Sequence, residues 1–167
     1  MIGRRPVNAY VIALMSDLET VNSMLAEIAE ANDGVNHGSE YSLNMLPSSD
    51  SMELALAAYY SAMSTSTSAP QSAEQWNIRT TEVEDAKSHL LAATRRWFYG
   101  LEFSPKVDGA TAERTANEFM DRLISIVGTS KVFEVKVRPP MWYECVWQDF
   151  AFDGEHCRWL LHFGFSD

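Results

Sequence analysis

The sequence predicts an α+β fold, in which a C-terminal three-stranded antiparallel meander packs against about four helices. Three observations carry that prediction. Residues 142–165 hold two aromatic-rich apolar segments around Asp153-Gly154, a strong short-range hairpin signal. Residues 131–138 alternate polar and apolar side chains, as a half-buried strand does. Upstream, apolar residues recur three and four apart in several separate runs, the spacing of amphipathic helices.

In chain order, Val7, Val11, Leu14, Leu18, Val21, Leu25 and Ile28 fit one helix from Pro6 to Gly34. β-branched Val7, Val11 and Ile12 beside Tyr10 also fit a strand over residues 8–15, with Ser16 capping a helix over 17–32 through a Ser16-x-x-Glu19 box. Strand then helix is the favoured reading, because an N-terminal strand extends the sheet. Residues 33–44 read as loop, with a short strand around 41–45. Asp50 as cap, with Glu53 three residues on, opens a helix to about Met63 that is apolar enough to need cover. Residues 64–77, rich in Ser, Thr, Ala and Gln, read as an exposed, mobile connection within a single domain spanning 1–167. Thr81-x-x-Glu84 is a capping box for a helix to about Tyr99, and a further helix over 111–127 stops at Gly128.

A two-residue turn on Asp153-Gly154 sets a register in which Asp149 faces Arg158, Trp147 faces Leu160, Cys145 faces His162 and Trp142 faces Phe165. Side chains alternate along a strand, so Phe150, Phe152, Trp159, Leu161 and Phe163 share an apolar face. Phe133, Val135 and Val137 join that face if residues 139–140 connect to Trp142, and the helices then pack on it. Tyr143, Cys145, Trp147, Asp149, His156, Arg158 and His162 fall on the other face, too polar for deep burial and too aromatic for plain surface. Either a partner or another element of this chain covers it.

At 167 residues the chain is long enough for one core without disulfides or a structural metal, and no apolar run approaches a membrane span. Two cysteines on opposite faces of the hairpin do not pair with each other and suit a reducing cytoplasm. The net charge of −10 is regional: residues 6 through 78 hold nine acids and neither Lys nor Arg. Such a field repels nucleic acid and anionic membrane and steers basic proteins inward, although acidic surfaces also serve solubility alone.

Candidate chemistry is sparse. Cys145 and His162 as cross-strand neighbours supply two metal ligands, short of the three or four that zinc needs. Glu144, with Gln148, falls within the apolar face, where a carboxyl can serve acid-base work; the simpler reading has its tip reach water or a helix terminus near the sheet's open end, and no second carboxylate partners it. No nucleophile elbow, phosphate-binding loop, dinucleotide fingerprint or calcium loop is present, so neither catalysis nor a cofactor or metal is expected. Aromatics beside acids are what a surface that captures Arg or Lys needs. The candidate partner-binding residues are therefore Glu19, Glu27, Glu30, Asp33 and Glu40 from the acidic half, with Tyr143, Trp147, Asp149, Asp153 and Glu155 from the hairpin. A second reading makes the polar sheet face the floor of an enzyme or ligand pocket using Tyr143, His162 and Asp149. A third, a chaperone or adaptor that masks a partner's helix, shares the acidity and predicts a dimer.

The ending WYECVWQDFAFDGEHCRWLLHFGFSD on a small, acidic body resembles the bacterial immunity proteins of contact-dependent growth inhibition and related polymorphic toxin systems. The resemblance lies in size, charge, architecture and ending. It implies a cytoplasmic protein that binds one cognate toxin domain, often a nuclease, and blocks its active site or substrate groove. With the acidic charge, the expectation is a non-enzymatic monomer in a one-to-one complex that contacts neither nucleic acid nor membrane.

Overall fold

The computed structural model describes residues 9–64, 73–128, 130–140 and 143–167. In chain order they form α1 (Ala9–Asn32), β1 (Gly38–Met45), α2 (Met52–Ser64), a 3-10 turn (Ala73–Trp76), β2 (Arg79–Glu82), α3 (Ala86–Tyr99), α4 (Gly109–Val127), β3 (Lys131–Lys136), β4 (Val146–Asp153) and β5 (Arg158–Ser166). The strands make one open antiparallel sheet in the order β1-β5-β4-β3-β2, so the C-terminal meander is its centre and two strands from earlier in the chain are its edges. The fold is α+β, as its sequence predicts.

The N-terminal strand does not form. Residues 9–15 belong to α1, whose buried side chains Val21, Leu25 and Ile28 continue the spacing of half-buried Leu14 and Leu18. Extending a helix adds one hydrogen bond per residue fixed, and the sheet edge beside β5 is already taken by β1. Ser16 therefore lies inside the helix, where its carbonyl accepts from the Thr20 hydroxyl at 2.9 Å. Side-chain oxygens start other helices one or several residues later than the boxes predict. The Ser51 hydroxyl, not Asp50, accepts from Leu54 N–H at 3.2 Å to start α2. Thr81 pairs with Glu134 as part of β2, and Asp85 caps α3 by accepting from Ser88 N–H. Asp108 caps α4, which ends as predicted at Gly128, in the left-handed region at φ 66°.

The hairpin turn is wider than two residues. Asp153 pairs with Arg158 across the strand ends, and Arg158 Nε donates to Asp153 Oδ1 at 2.7 Å. Gly154 is required by space, since a Cβ there would lie 2.8 Å from the Cys157 carbonyl oxygen. The register thus moves by four residues, and Asp149 faces His162 rather than Arg158. An even shift leaves the side chains of β4 and β5 on their predicted faces, but Glu144, expected on the apolar face, precedes β4 and turns to the second face to bond His162. The Cys145–His162 pairing is lost, and Cys145 lies exposed before β4 begins.

β3 is shifted by an odd number, and its faces exchange. Val132 pairs with Phe152 and Phe133 with Ala151, so Val132 points into the core beneath α1, α3 and α4. Val135, half-buried Phe133 and Val137 join a second core on the opposite face. The helices are accordingly on both faces, not one. α2 lays Met52, Ala55, Leu56 and Tyr60 over Ala151 and Leu160, with fully buried Trp76 beside them. The predicted mobile connection over 64–77 falls mostly on residues outside those described, but its last part, Ala73–Trp76, is a turn anchored by that tryptophan.

Two polar devices hold the first layer. Asn32, the last residue of α1, is buried and donates to the Tyr41 hydroxyl and to the Trp97 and Phe98 carbonyls, which closes the end of α3. Asn22 on α1 brackets edge strand β1 by donating to Leu43 C=O at 2.9 Å and accepting from Leu43 N–H at 2.8 Å. Those two groups point away from β5, so the side chain occupies the place of an added strand.

Candidate functional site

The second sheet face carries a cluster of polar and aromatic groups that follows from the register. Asp149 on β4 is opposite His162 on β5, which is opposite Ser42 on β1. One row towards the end of the sheet, Trp147 is opposite Gly164, which is opposite Glu40. Tyr60 of α2 and the segment before β4, with Tyr143 and Glu144, close over the first row.

Asp149 is 0% exposed and His162 5%. A carboxylate and an imidazole removed from water this far are tolerable only when paired and hydrogen-bonded. Both conditions are met. The Tyr60 hydroxyl donates to Asp149 Oδ2 at 2.6 Å, His162 Nδ1 donates to Asp149 Oδ1 at 2.6 Å, and His162 Nε2 donates to Glu144 Oε1 at 3.0 Å. Burial works against a charged imidazole, but the charge and hydrogen bond of Asp149, with Glu144 behind them, outweigh it and push the ring up to about 10. The ring is therefore an imidazolium at neutral pH. Burial first, and then the Asp149 charge, hold the Tyr60 phenol well above its usual value and Tyr143 likewise. Tyr59, pushed to about 12, is raised by burial and by Asp149 and Glu40.

Both ring nitrogens of His162 are occupied by carboxylates, so the ring offers no lone pair to a substrate or a metal. Among the described residues no group of three or more His, Cys, Asp or Glu is placed to hold a metal ion. The Glu144 carboxylate does have the charged partner that its sequence context did not reveal, namely His162. Its second oxygen, Oε2, is buried and has no hydrogen-bond partner. A Cβ built on Gly164 would lie 1.5 Å from that atom, so Glu144 Oε2 fills the side-chain position that glycine leaves empty. Gln148 points to the other face and accepts from the Trp97 indole at 2.9 Å.

The structure divides the predicted partner-binding residues into four places. Glu19, Glu27 and Glu30 are exposed on α1, above the first core, and Glu19 and Glu27 line a groove with Tyr99, Glu118 and Arg122. Asp33 is exposed just past α1 and accepts from Ser39 N–H at 2.6 Å. Glu40, Tyr143, Trp147 and Asp149 converge on the second face, with Asp149 internal and Glu40 exposed. Asp153 is committed to Arg158, and Glu155 is exposed at the hairpin tip. Sequence reasoning missed Tyr60, the hydroxyl that makes a buried Asp149 tenable, and Gly164, the slot for Glu144. The trace of the first is the Tyr59-Tyr60 pair in a mostly apolar helix. The second leaves no local trace.

No protein-family model matches the chain, and neither the curated proteins nor the solved structures compared with it give a match.

Proposed function

We propose that the chain is an immunity-type inhibitor that acts in the cytoplasm by binding one basic toxin domain, a nuclease fitting best, and occluding its working surface without catalysis. The observation that supports it most is the exposed carboxylate series Glu19, Glu27, Glu30 and Asp33, in a stretch from residue 6 to residue 78 with neither Lys nor Arg. A nuclease surface must attract phosphate, and its complement is a field of this sign. The conspicuous ionisable cluster of the sheet adds to the reading, because Asp149 and His162 spend their bonding capacity on Tyr60, Glu144 and each other.

The test is co-expression with the toxin domain encoded beside this gene. Growth should be restored, and a one-to-one complex should elute from gel filtration. Glu19→Lys, Glu27→Lys and Glu30→Lys together should slow association about tenfold or more at low salt, with a smaller effect at high salt. Absence of both rescue and complex would sink the proposal.

A further inference from the structure

We propose that the row Glu40–Gly164–Trp147 is a receptor for one arginine side chain of the protein partner. The inference deepens the partner-binding reading and rests on it for the owner of that arginine.

The geometry follows from the register. Gly164 sits between Glu40 on one neighbouring strand and Trp147 on the other, and directly opposed side chains on one face start about 5 Å apart. Because residue 164 has no side chain, Glu144 Oε2 occupies the position between Glu40 and Trp147 that a Cβ would take. The Glu144 side chain is only 9% exposed, and while its Oε1 accepts from His162, Oε2 has no hydrogen-bond partner. A buried anionic oxygen with nothing to accept from is costly, and a cation held against the row offsets that cost through its field. The indole is half-buried, with the Tyr143 ring edge-on at 5.2 Å holding its orientation.

Charge selects a cation for this place. Glu40, Glu144 and Asp149 contribute −3 and the His162 imidazolium +1, which leaves −2 across two adjacent rows. Among the described residues no Lys or Arg pairs with any of the three carboxylates. The Tyr59 and Tyr143 hydroxyls both feel Glu40, and Tyr143 also feels Glu144, so the negative field converges where the aromatic rings are. A guanidinium suits this better than an ammonium, because a plane stacks on an indole face while its edge donates to a carboxylate. Glu40 supplies the exposed carboxylate and Trp147 the face. Glu144 adds charge from beneath, at a depth where water screens it little.

The test uses N-acetylargininamide as the probe and N-acetylcitrullinamide, its neutral isostere, as the control. Each is titrated into the full chain while the Trp147 indole N–H and the Gly164 amide are followed by NMR. Expected are saturable shifts of both signals with the arginine compound, on the order of millimolar affinity for a single side chain, and binding about fivefold or more weaker with citrulline. Glu40→Gln changes only an exposed edge-strand side chain and should weaken the arginine titration by a similar factor. Equal titration by the two compounds, no saturable shift, or an unaltered titration in Glu40→Gln would overturn the receptor. Its failure separates from that of the proposed function. If the wild-type chain rescues growth and Glu40→Gln leaves the toxin complex as tight as before, the receptor falls and the function stands. If rescue and complex both fail while N-acetylargininamide binds as expected, the function falls and the receptor stands.

Discussion

His162 should make the stability of this protein fall with rising pH across the neutral to alkaline range. Its folded-state pKa is about 10, against an ordinary value of 6.5, so the folded chain holds a proton that the unfolded chain releases. For a raised pKa the contribution is complete below about 6.5 and is lost as pH climbs towards 10. Within that window the slope is about 1.4 kcal/mol per pH unit, and the whole contribution is on the order of 5 kcal/mol. From pH 7 to pH 9 the loss is therefore roughly 2–3 kcal/mol. With a urea m-value of about 2 kcal/mol per molar, the unfolding midpoint should drop by roughly 1 M at constant slope. Urea denaturation at pH 7, 8 and 9 measures this, and the 15N shifts of the His162 ring show directly whether both nitrogens carry protons at pH 8. In Asp149→Asn the main charge opposing burial is gone, so the ring should be neutral when folded and the pH slope should vanish. That variant leaves the remaining groups incompletely paired and should cost about 3–5 kcal/mol at neutral pH. A midpoint that does not move between pH 7 and 9, or a ring that titrates near 6.5, would refute the reasoning.

Other perturbations test neighbouring contacts. Tyr60→Phe keeps the ring that packs on Trp76 but removes the donor to Asp149 Oδ2, and should cost about 1.5–3 kcal/mol by urea denaturation. Gly164→Ala places a methyl group on Glu144 Oε2, so the Glu144 carboxylate must shift away from its place against His162; we expect a loss of about 2–4 kcal/mol and a lower His162 ring pKa by NMR, and an unchanged pKa would contradict the slot. Asn22→Ala strips both bonds from Leu43 on the edge strand, and should cost about 1–3 kcal/mol and speed aggregation measured by light scattering, because the freed backbone groups can pair with another chain.

What was legible in the sequence was whatever depends on neighbours along the chain. The runs Val21, Leu25, Ile28 and Phe119, Leu123, Ile126 announce buried helix faces, and the alternation through Phe150 and Phe152, then Trp159, Leu161 and Phe163, announces a buried strand face. Those spacings are properties of 3.6-residue and 2-residue periods and survive almost any packing. Among the predicted site residues, Trp147, Asp149 and Tyr143 were placed together by the same alternation. The N-terminal strand over 8–15 failed because its β-branched residues are weak evidence against a helix already under way at Leu14 and Leu18. Thr81-x-x-Glu84 failed because residues 79–82 are a sheet edge for β3, a demand made by a segment fifty residues further on.

The sequence by itself determined the α+β class, the helical and strand periods, the hairpin near Asp153-Gly154, the apolar side of its strands and the regional negative charge. Only the tertiary structure decided the odd shift that turned Phe133 and Val135 to the second face, the placing of α2 and Trp76 over that face, and the meeting of Tyr60, Glu144, Asp149 and His162. The division has one cause. Period is encoded locally, whereas register and layer order are settled by which distant surfaces bury each other best, and a shift of a single residue exchanges every side chain on a strand. Asp149 shows the consequence: by spacing it was a half-exposed acid facing a partner, and by packing it is an internal anion that keeps a buried histidine charged.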